Sequence, residues 1–336
     1  MSGKVKVLVT IPKELYKLVS RVEDEEKLKS FAEVTFNPYD RNLNEEELSN
    51  FIVDVDGCIT SWGSPKFTEA VLKNAEKLKI IGHAAGSVKP YVTEEVFKRR
   101  IVVVNAASTI AKSVAEFTLA MILNCLRGIP KYIEAMRAKD WDYKNRRGIE
   151  TLDLRGKVVG IVGFGKVARE LVQLLKPFEV SILVYDPFVE LEQLAAYNAR
   201  KVSLNELLSV SDIVTLHAAS TPETYHMIGE KELRLMKSSA YIINTAGPLI
   251  DENALVKALK ERWIAGAALD RFDEEPLQKS SVLYELNNVF LTPHVAGPSD
   301  ERRKMLFGTI VEDFRRFFSG EKPINEVHYE KLKFLA

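Results

Sequence analysis

One stretch decides the fold of this chain: Val158-Val159-Gly160-Ile161-Val162-Gly163-Phe164-Gly165-Lys166-Val167-Ala168. Its β-branched run predicts a buried parallel strand, and Gly163 permits the tight turn that leaves this strand. Gly165 has no Cβ, so backbone N–H groups can approach a pyrophosphate, and Ala168 lets the following helix pack closely. The positive end of that helix would point at the phosphates. The residues expected to contact such a ligand are Gly163, Phe164, Gly165, Lys166, Val167 and Ala168.

An acidic residue follows at the distance that a dinucleotide site requires. Residues 180–185 predict a second strand, and Asp186 comes directly after it. A carboxylate there is placed to accept hydrogen bonds from ribose hydroxyls and to repel a 2′-phosphate, which favours NAD over NADP. A glycine-rich turn alone is a weak signal. The strand, the helix and the spaced acid together predict a Rossmann NAD-binding domain.

The order of predicted elements indicates two domains. A chain of 336 residues is too long for one compact core, and strands alternate with helices along it. The glycine motif lies in mid-chain, so another α/β unit precedes it. We predict two doubly wound parallel-sheet domains, 1–106 plus 300–336 and 107–299, with a core or interface helix over 113–126 and a long amphipathic helix after Pro298. Strands are predicted over 5–10, 33–36, 57–61, 79–81, 101–105, 158–162, 182–185, 212–217, 240–244, 265–270 and 289–292.

Composition excludes several classes of partner. Lys plus Arg and Asp plus Glu are equal at 47 each, so neither nucleic acid nor an anionic membrane is an expected partner. The amino end carries no apolar signal region, and the apolar run 117–126 is too short to span a bilayer, which predicts a cytoplasmic protein. Cys58 and Cys125 lack metal-ligand spacing and are expected to be buried, and no metal site is predicted.

Further motifs resemble the D-isomer-specific 2-hydroxyacid dehydrogenase family over essentially the whole chain. These motifs are 113–118, 216–218 with 221–224, 243–246 with 251–252, 267–270, 274–276 and 292–297. The resemblance implies a flavodoxin-like substrate domain beside the Rossmann domain, a homodimer, and hydride transfer between NAD and a small-molecule D-2-hydroxy acid or 2-oxo acid. It also implies cofactor contacts from Ala218, Thr245, Ala246, Asp270 and Gly297.

Two residues are candidates for acid–base chemistry. An alcohol can lose hydride only if its O–H proton has an acceptor, and an imidazole can take up and release a proton near neutral pH, which makes His294 the candidate proton carrier. Glu275 could bond the other ring nitrogen, hold its tautomer and raise the pKa of the imidazole. By the resemblance these two form the acid–base dyad. The alternative is a turn histidine and an acid in an exposed charged loop.

The other histidines give weaker signals. His217 ends a predicted strand near the expected position of the nicotinamide ribose, but a histidine satisfied at a strand end explains it equally well. His83 lies next to a loop of small residues and its role is open. His226 and His328 are expected at the surface.

The loop of small residues 84–88 is a candidate anion site. Such a loop can turn backbone N–H groups inward to form an anion-binding nest. The resemblance implies that Gly86, Ser87 and Val88 bind the substrate carboxylate. The following Lys89 and Pro90 depart from the family's usual Asp-Asn, which leaves the particular substrate open. An ordinary βα turn is the alternative.

An arginine that the family carries is missing between Ala246 and Gly247. Losing its charge-assisted hydrogen bond costs on the order of 1.5 to 3 kcal/mol. Three explanations are open: a real deletion that impairs the protein, an arginine lacking from the recorded chain, which an intact mass would detect, or substitution by another cation. Arg271 is the candidate substitute, but strand alternation after Asp270 argues against it and favours a surface arginine.

The missing arginine also supports a rival function. The family that this chain resembles includes transcriptional corepressors. The alternative function is therefore that of a catalytically weak NAD(H)-binding regulatory protein. Retention of His294 and Glu275 favours the enzyme.

Overall fold

The computed structural model describes residues 4–145 and 151–332. The chain divides into two compact units, one formed by residues up to Ala111 together with those from Pro298, the other by Lys112–Gly297. These boundaries fall within a few residues of the predicted ones. Each unit contains one parallel sheet with helices, so the predicted fold class is confirmed.

The first unit is built on a five-stranded sheet in the order β2-β1-β3-β4-β5. Alternate strand residues enter two separate cores: Leu8 and Ile81 pack on one face, and Val9 and Ile80 pack on the other. Apolar residues on both faces are typical of a parallel sheet that helices cover on each side. The strands are β1 Val5–Val9, β2 Ala32–Phe36, β3 Gly57–Thr60, β4 Ile80–His83 and β5 Val102–Asn105.

The second unit is built on a seven-stranded sheet in the order β12-β11-β10-β9-β6-β7-β8. Strand β6 lies between β7 and β9, so the direction of strand addition reverses there, and ligands bind at the carboxyl ends of the strands at such a point. The strands are β6 Val158–Val162, β7 Ser181–Tyr185, β8 Ala199–Lys201, β9 Ile213–Leu216, β10 Tyr241–Asn244, β11 Gly266–Leu269 and β12 Val289–Leu291.

Fifteen helices occur in the described residues. They are α1 Lys13–Val19, α2 Val22–Phe31, α3 Glu45–Phe51, α4 Glu69–Lys73, α5 Glu94–Lys98, α6 Ala107–Arg127, α7 Ile129–Arg137, α8 Lys166–Leu175, α9 Leu191–Ala195, α10 Leu204–Val210, α11 Glu230–Leu235, α12 Glu252–Lys260, α13 Asp300–Arg303, α14 Leu306–Phe318 and α15 Tyr329–Leu332.

Two helices differ from their predicted extent. Helix α6 is longer than the predicted 113–126, and by length and composition it would suffice to cross a membrane. Its side chains Ala115 and Ile122 pack in the core of the second unit, as in a core helix of a globular protein. The single helix predicted after Pro298 is instead two, because α13 ends at Arg303 and α14 begins at Leu306.

The sequence analysis missed one strand. Strand β8 is three residues long, polar, and paired only with β7 at the edge of the sheet. Its sequence has no alternation that would predict a strand. The prediction for the cysteines is confirmed, since Cys58 and Cys125 are both buried and burial raises the pKa of each thiol.

Candidate active site

The turn after β6 has the geometry that its glycines predict. Gly163 adopts φ +87°, and a Cβ on it would lie 2.5 Å from the backbone nitrogen of Ala218. A Cβ on Gly165 would meet no heavy atom of the described chain within 4 Å, its neighbours aside. The first glycine is therefore required by the protein's own packing, whereas the second opens onto free space that a ligand could fill.

The amino end of α8 adjoins this space. Gly165 precedes the helix, and no side chain of the described residues caps it. The amino end of a helix that lacks a side-chain cap is suited to an anion. At the end of β7, Asp186 accepts hydrogen bonds from the N–H of Phe164 at 2.7 Å and of Phe188 at 2.8 Å. Each carboxylate oxygen keeps a lone pair for a ribose hydroxyl. These residues fit a dinucleotide cofactor.

The carboxylate of Asp270 holds together the ends of β11 and β12. This residue is buried, and its Oδ1 accepts hydrogen bonds from Thr292 Oγ1 at 2.7 Å and from Val295 N at 2.8 Å. Its Oδ2 accepts from Ala296 N at 2.8 Å. The segment that carries His294 is thus fixed by one side chain. The sequence analysis missed this role, because no local pattern connects residues so far apart in the chain.

His294 and Glu275 are in direct contact. His294 Nδ1 lies 2.7 Å from Glu275 Oε2, and half of the histidine side chain, 51%, is exposed. Burial opposes ionisation of Glu275, but hydrogen bonds from Arg271 and from the N–H of Phe272 outweigh it and lower the pKa of this carboxyl. The arrangement therefore offers an anion to one ring nitrogen and leaves the other side of the ring open.

Arg271 does not lie where strand alternation predicts. Strand β11 ends at Leu269, so the alternation of side chains does not extend to Arg271. Its Nε donates to Glu275 Oε1 at 2.8 Å, and only 30% of its side chain is exposed. Arg271 is thus partly exposed, as expected, but its guanidinium also contacts the predicted dyad, which the sequence did not predict.

The turn that lacks the family's arginine is closed by Asn244. The Asn244 side chain accepts from Ala246 N at 3.2 Å and donates from Nδ2 to the carbonyl of Gly247 at 2.8 Å. Downstream, Leu249 accepts from the N–H of Ile228 at 3.0 Å. The shorter turn is therefore a regular hydrogen-bonded one. Gly247 and Arg271 line the same small cavity.

His226 and His217 have different surroundings. His226 Nε2 lies 2.8 Å from Asp273 Oδ2, and 28% of the His226 side chain is exposed. His217 Nε2 lies 3.0 Å from Thr215 Oγ1 at the end of β9. Burial lowers the pKa of His217 to about 4, so this ring is neutral near pH 7.

In the first unit, the loop after β4 presents free donors. The backbone N–H groups of Gly86, Ser87 and Val88 have no acceptor in the part of the chain that the structure describes. The carbonyl of Gly86 is held by Asn105 Nδ2 at 2.8 Å, which fixes the loop. Three consecutive free N–H groups on a fixed loop are suited to an anion.

His83, directly before this loop, is a buried neutral group. Its Nδ1 lies 2.9 Å from Thr60 Oγ1, and its Nε2 has no partner among the described residues. Burial lowers the pKa of His83 to about 3, so it does not supply a positive charge. Burial also lowers the pKa of Lys89, which follows the loop.

A glycine turn at the switch point of a parallel sheet, an acid after the next strand and an exposed His–Glu pair define a dinucleotide-binding oxidoreductase. A family model described as "D-isomer specific 2-hydroxyacid dehydrogenase, NAD binding domain" matches residues 119–296. The chain belongs to the D-isomer-specific 2-hydroxyacid dehydrogenase family, and it is an NAD-dependent enzyme of that class.

Individual relatives agree with this assignment. The D-3-phosphoglycerate dehydrogenase of Methanocaldococcus jannaschii is 37% identical over 98% of this chain, which spans 60% of that relative's length. The glyoxylate reductase of Thermococcus litoralis is 38% identical over 83% of this chain and 85% of its own. A solved structure of a Pyrococcus horikoshii protein is 30% identical, with a TM-score of 0.79, and the match covers 98% of this chain and 97% of that one.

Proposed function

We propose that this enzyme interconverts 2-oxo acids and D-2-hydroxy acids with His294 as the proton carrier and Glu275 as its partner. The observation that carries the proposal is the 2.7 Å contact between His294 Nδ1 and Glu275 Oε2 on a ring that is half exposed. With Nδ1 bound to the carboxylate, Nε2 is the atom left to exchange a proton with substrate.

The proton chemistry follows from this pair. When bound, the cofactor supplies or accepts the hydride at its nicotinamide ring. In the reductive direction, protonated His294 donates from Nε2 to the oxygen that becomes the hydroxyl, and in the oxidative direction the neutral ring accepts that proton. The anionic Glu275 stabilises the imidazolium and fixes which nitrogen faces the substrate.

The substrate carboxylate is assigned to the loop in the first unit. The free N–H groups of Gly86, Ser87 and Val88 support this role, because three donors can satisfy a carboxylate without a cationic side chain. Such a site suits a small 2-oxo acid. The named relatives suggest glyoxylate and D-3-phosphoglycerate as the first compounds to test.

The cofactor contacts are proposed from the turn, the helix and the strand ends. Gly165 and the start of α8 would hold the pyrophosphate, and Asp186 would bind the ribose hydroxyls and exclude a 2′-phosphate. The remaining proposed contacts are Phe164, Lys166, Val167, Ala168, Ala218, Thr245, Ala246, Asp270 and Gly297.

A panel of 2-oxo acids with NADH, and of D-2-hydroxy acids with NAD, tests this function at the nicotinamide absorbance band. We expect turnover with at least one small 2-oxo acid and a preference for NADH over NADPH, because the carboxylate of Asp186 would repel a 2′-phosphate. L-2-hydroxy acids serve as the control for stereochemistry. Absence of turnover with every compound would contradict the proposal.

A second candidate is a regulatory protein that binds NAD(H) but turns over little. The regular closed turn at Asn244, without the family's arginine, favours it. This candidate predicts tight NADH binding, no reduction of any 2-oxo acid, and no effect of His294→Ala on the bound state.

We also propose a cytoplasmic homodimer. Helix α7 exposes Ile129, Ile133 and Met136, which share one helical face, and Trp141 follows them as an exposed residue. An exposed apolar surface of this kind is suited to a second copy of the chain.

The variant Ile133→Asp tests this surface. We expect the unaltered protein to have twice the mass of one chain by light scattering and Ile133→Asp to shift towards the monomer, because a charge would be buried without a partner. The control is Val22→Asp, which alters a more exposed apolar residue on α2, in the other unit. A monomeric unaltered protein would refute the dimer.

A further inference from the structure

The side chains of Arg271, Glu275 and His294 form one connected network in the second unit. Arg271 Nε donates to Glu275 Oε1 at 2.8 Å, and Glu275 Oε2 lies 2.7 Å from His294 Nδ1. Phe272 N also donates to Glu275 Oε1, at 3.2 Å. Each carboxylate oxygen is therefore committed, one to the arginine side and one to the histidine.

The pair is more shielded than an ordinary surface ion pair. The side chains of Arg271 and Glu275 are 30% and 27% exposed. Exposed ion pairs contribute little because water screens them, whereas partly buried pairs interact more strongly.

We propose that Arg271 is a positioning residue that shares the Glu275 carboxylate with His294 and so sets the pH range in which the imidazole can act as a base. This inference rests on the proposed function, since it concerns the same dyad.

The direction of the effect follows from the charges. Arg271 lowers the pKa of Glu275 and neutralises part of the field that the carboxylate exerts on His294. Without the guanidinium, the whole carboxylate would stabilise the imidazolium, and a nearby cation would be gone. Both changes favour the protonated imidazole. The guanidinium of Arg271 therefore favours the neutral ring, which is the form that accepts a proton.

Other charged groups near Arg271, Glu275 and His294 do not reverse the direction of this effect. On the far side of Arg271, the shared cavity is lined by Glu252 and Asp273, and Asp273 is paired with His226. Behind His294, the Asp270 carboxylate is occupied by the N–H groups of Val295 and Ala296. None of these groups is changed by a substitution at Arg271, so they act equally on both proteins in a comparison.

The experiment is a pH titration of His294 by NMR in Arg271→Leu and in the unaltered protein, without substrate. The chain has five histidines, and His294→Ala identifies the resonance. We expect Arg271→Leu to raise the titration midpoint of His294 by roughly half a unit to one unit, the usual size for loss of one nearby charge. Arg271→Lys, which keeps the charge, should lie between the two.

The matched control is Arg234→Leu. Arg234 also pairs with an acid four residues away, Glu230, on α11. The substitution Arg234→Leu removes the same charge from the same unit and should leave the titration midpoint of His294 unchanged. If Arg271→Leu does not fold, Arg271→Gln performs the same test, because its amide carries no charge. An unchanged or lowered midpoint in the neutral variant overturns the proposal.

The pH–rate profile gives a second measurement. Oxidation of the hydroxy acid needs neutral His294, so the acidic limb of kcat/KM should move to higher pH in Arg271→Leu. At mildly acidic pH this shift corresponds to a loss of about threefold to tenfold in kcat/KM. If the unaltered enzyme has no activity, the proposed function fails, but the titration still tests Arg271.

Discussion

Replacing His294 with alanine is expected to lower kcat/KM for 2-oxo acid reduction by roughly a hundredfold to ten-thousandfold, the usual contribution of a general acid. The loss arises because the proton that His294 would donate then has to come from water. NADH binding should persist, since Gly165 and Asp186 are unchanged. Steady-state kinetics and NADH fluorescence titration measure the two quantities separately.

The control is His328→Ala, which removes another half-exposed histidine close to an acid, with His328 Nδ1 3.6 Å from Glu326 Oε1. It should retain full activity. If His294→Ala reduces 2-oxo acids at the rate of the unaltered protein, the dyad is wrong. If both proteins bind NADH and neither has activity, the regulatory candidate is favoured.

Changing Gly165 to valine is expected to weaken NADH binding by about a hundredfold, because its side chain would occupy the space through which a pyrophosphate approaches the backbone. The stability of the folded protein should change little. Gly165 has φ −80°, which any residue adopts, and the added Cβ meets no described atom within 4 Å. Calorimetric titration with NADH and a thermal melt together check this prediction.

Gly163→Val is the matched comparison at the other glycine. Its φ of +87° and the 2.5 Å approach to the Ala218 backbone make the substitution costly to the fold itself, by about 1 to 3 kcal/mol or more. This variant should melt at lower temperature as well as lose NADH. Equal melting temperatures in the two variants would contradict the separate roles of the two glycines.

Much of the fold was predictable because it depends on local patterns. The alternation of strand-like and helix-like segments identified every strand except β8, which has three residues at a sheet edge and no apolar pattern. The break between α13 and α14 was not predicted, because helix formers continue across it.

The candidate site was predictable only where one motif carries it. The glycine turn and Asp186 belong to a single βαβ unit, so their spacing in the sequence reflects their spacing in space. The contact between His294 and Glu275 was expected from the resemblance. The positions of Arg271 and Asp270 were not predictable, because they depend on where β11 ends and how it meets β12.

The hydrogen bonds in the turn after β10 also depend on the length of that turn. Asn244 bonds both the N–H of Ala246 and the carbonyl of Gly247, the two residues between which the family's arginine would stand. An added residue would move these two atoms apart and break at least one of the bonds. Insertion of an arginine between Ala246 and Gly247 is therefore expected to cost at least one of these two hydrogen bonds.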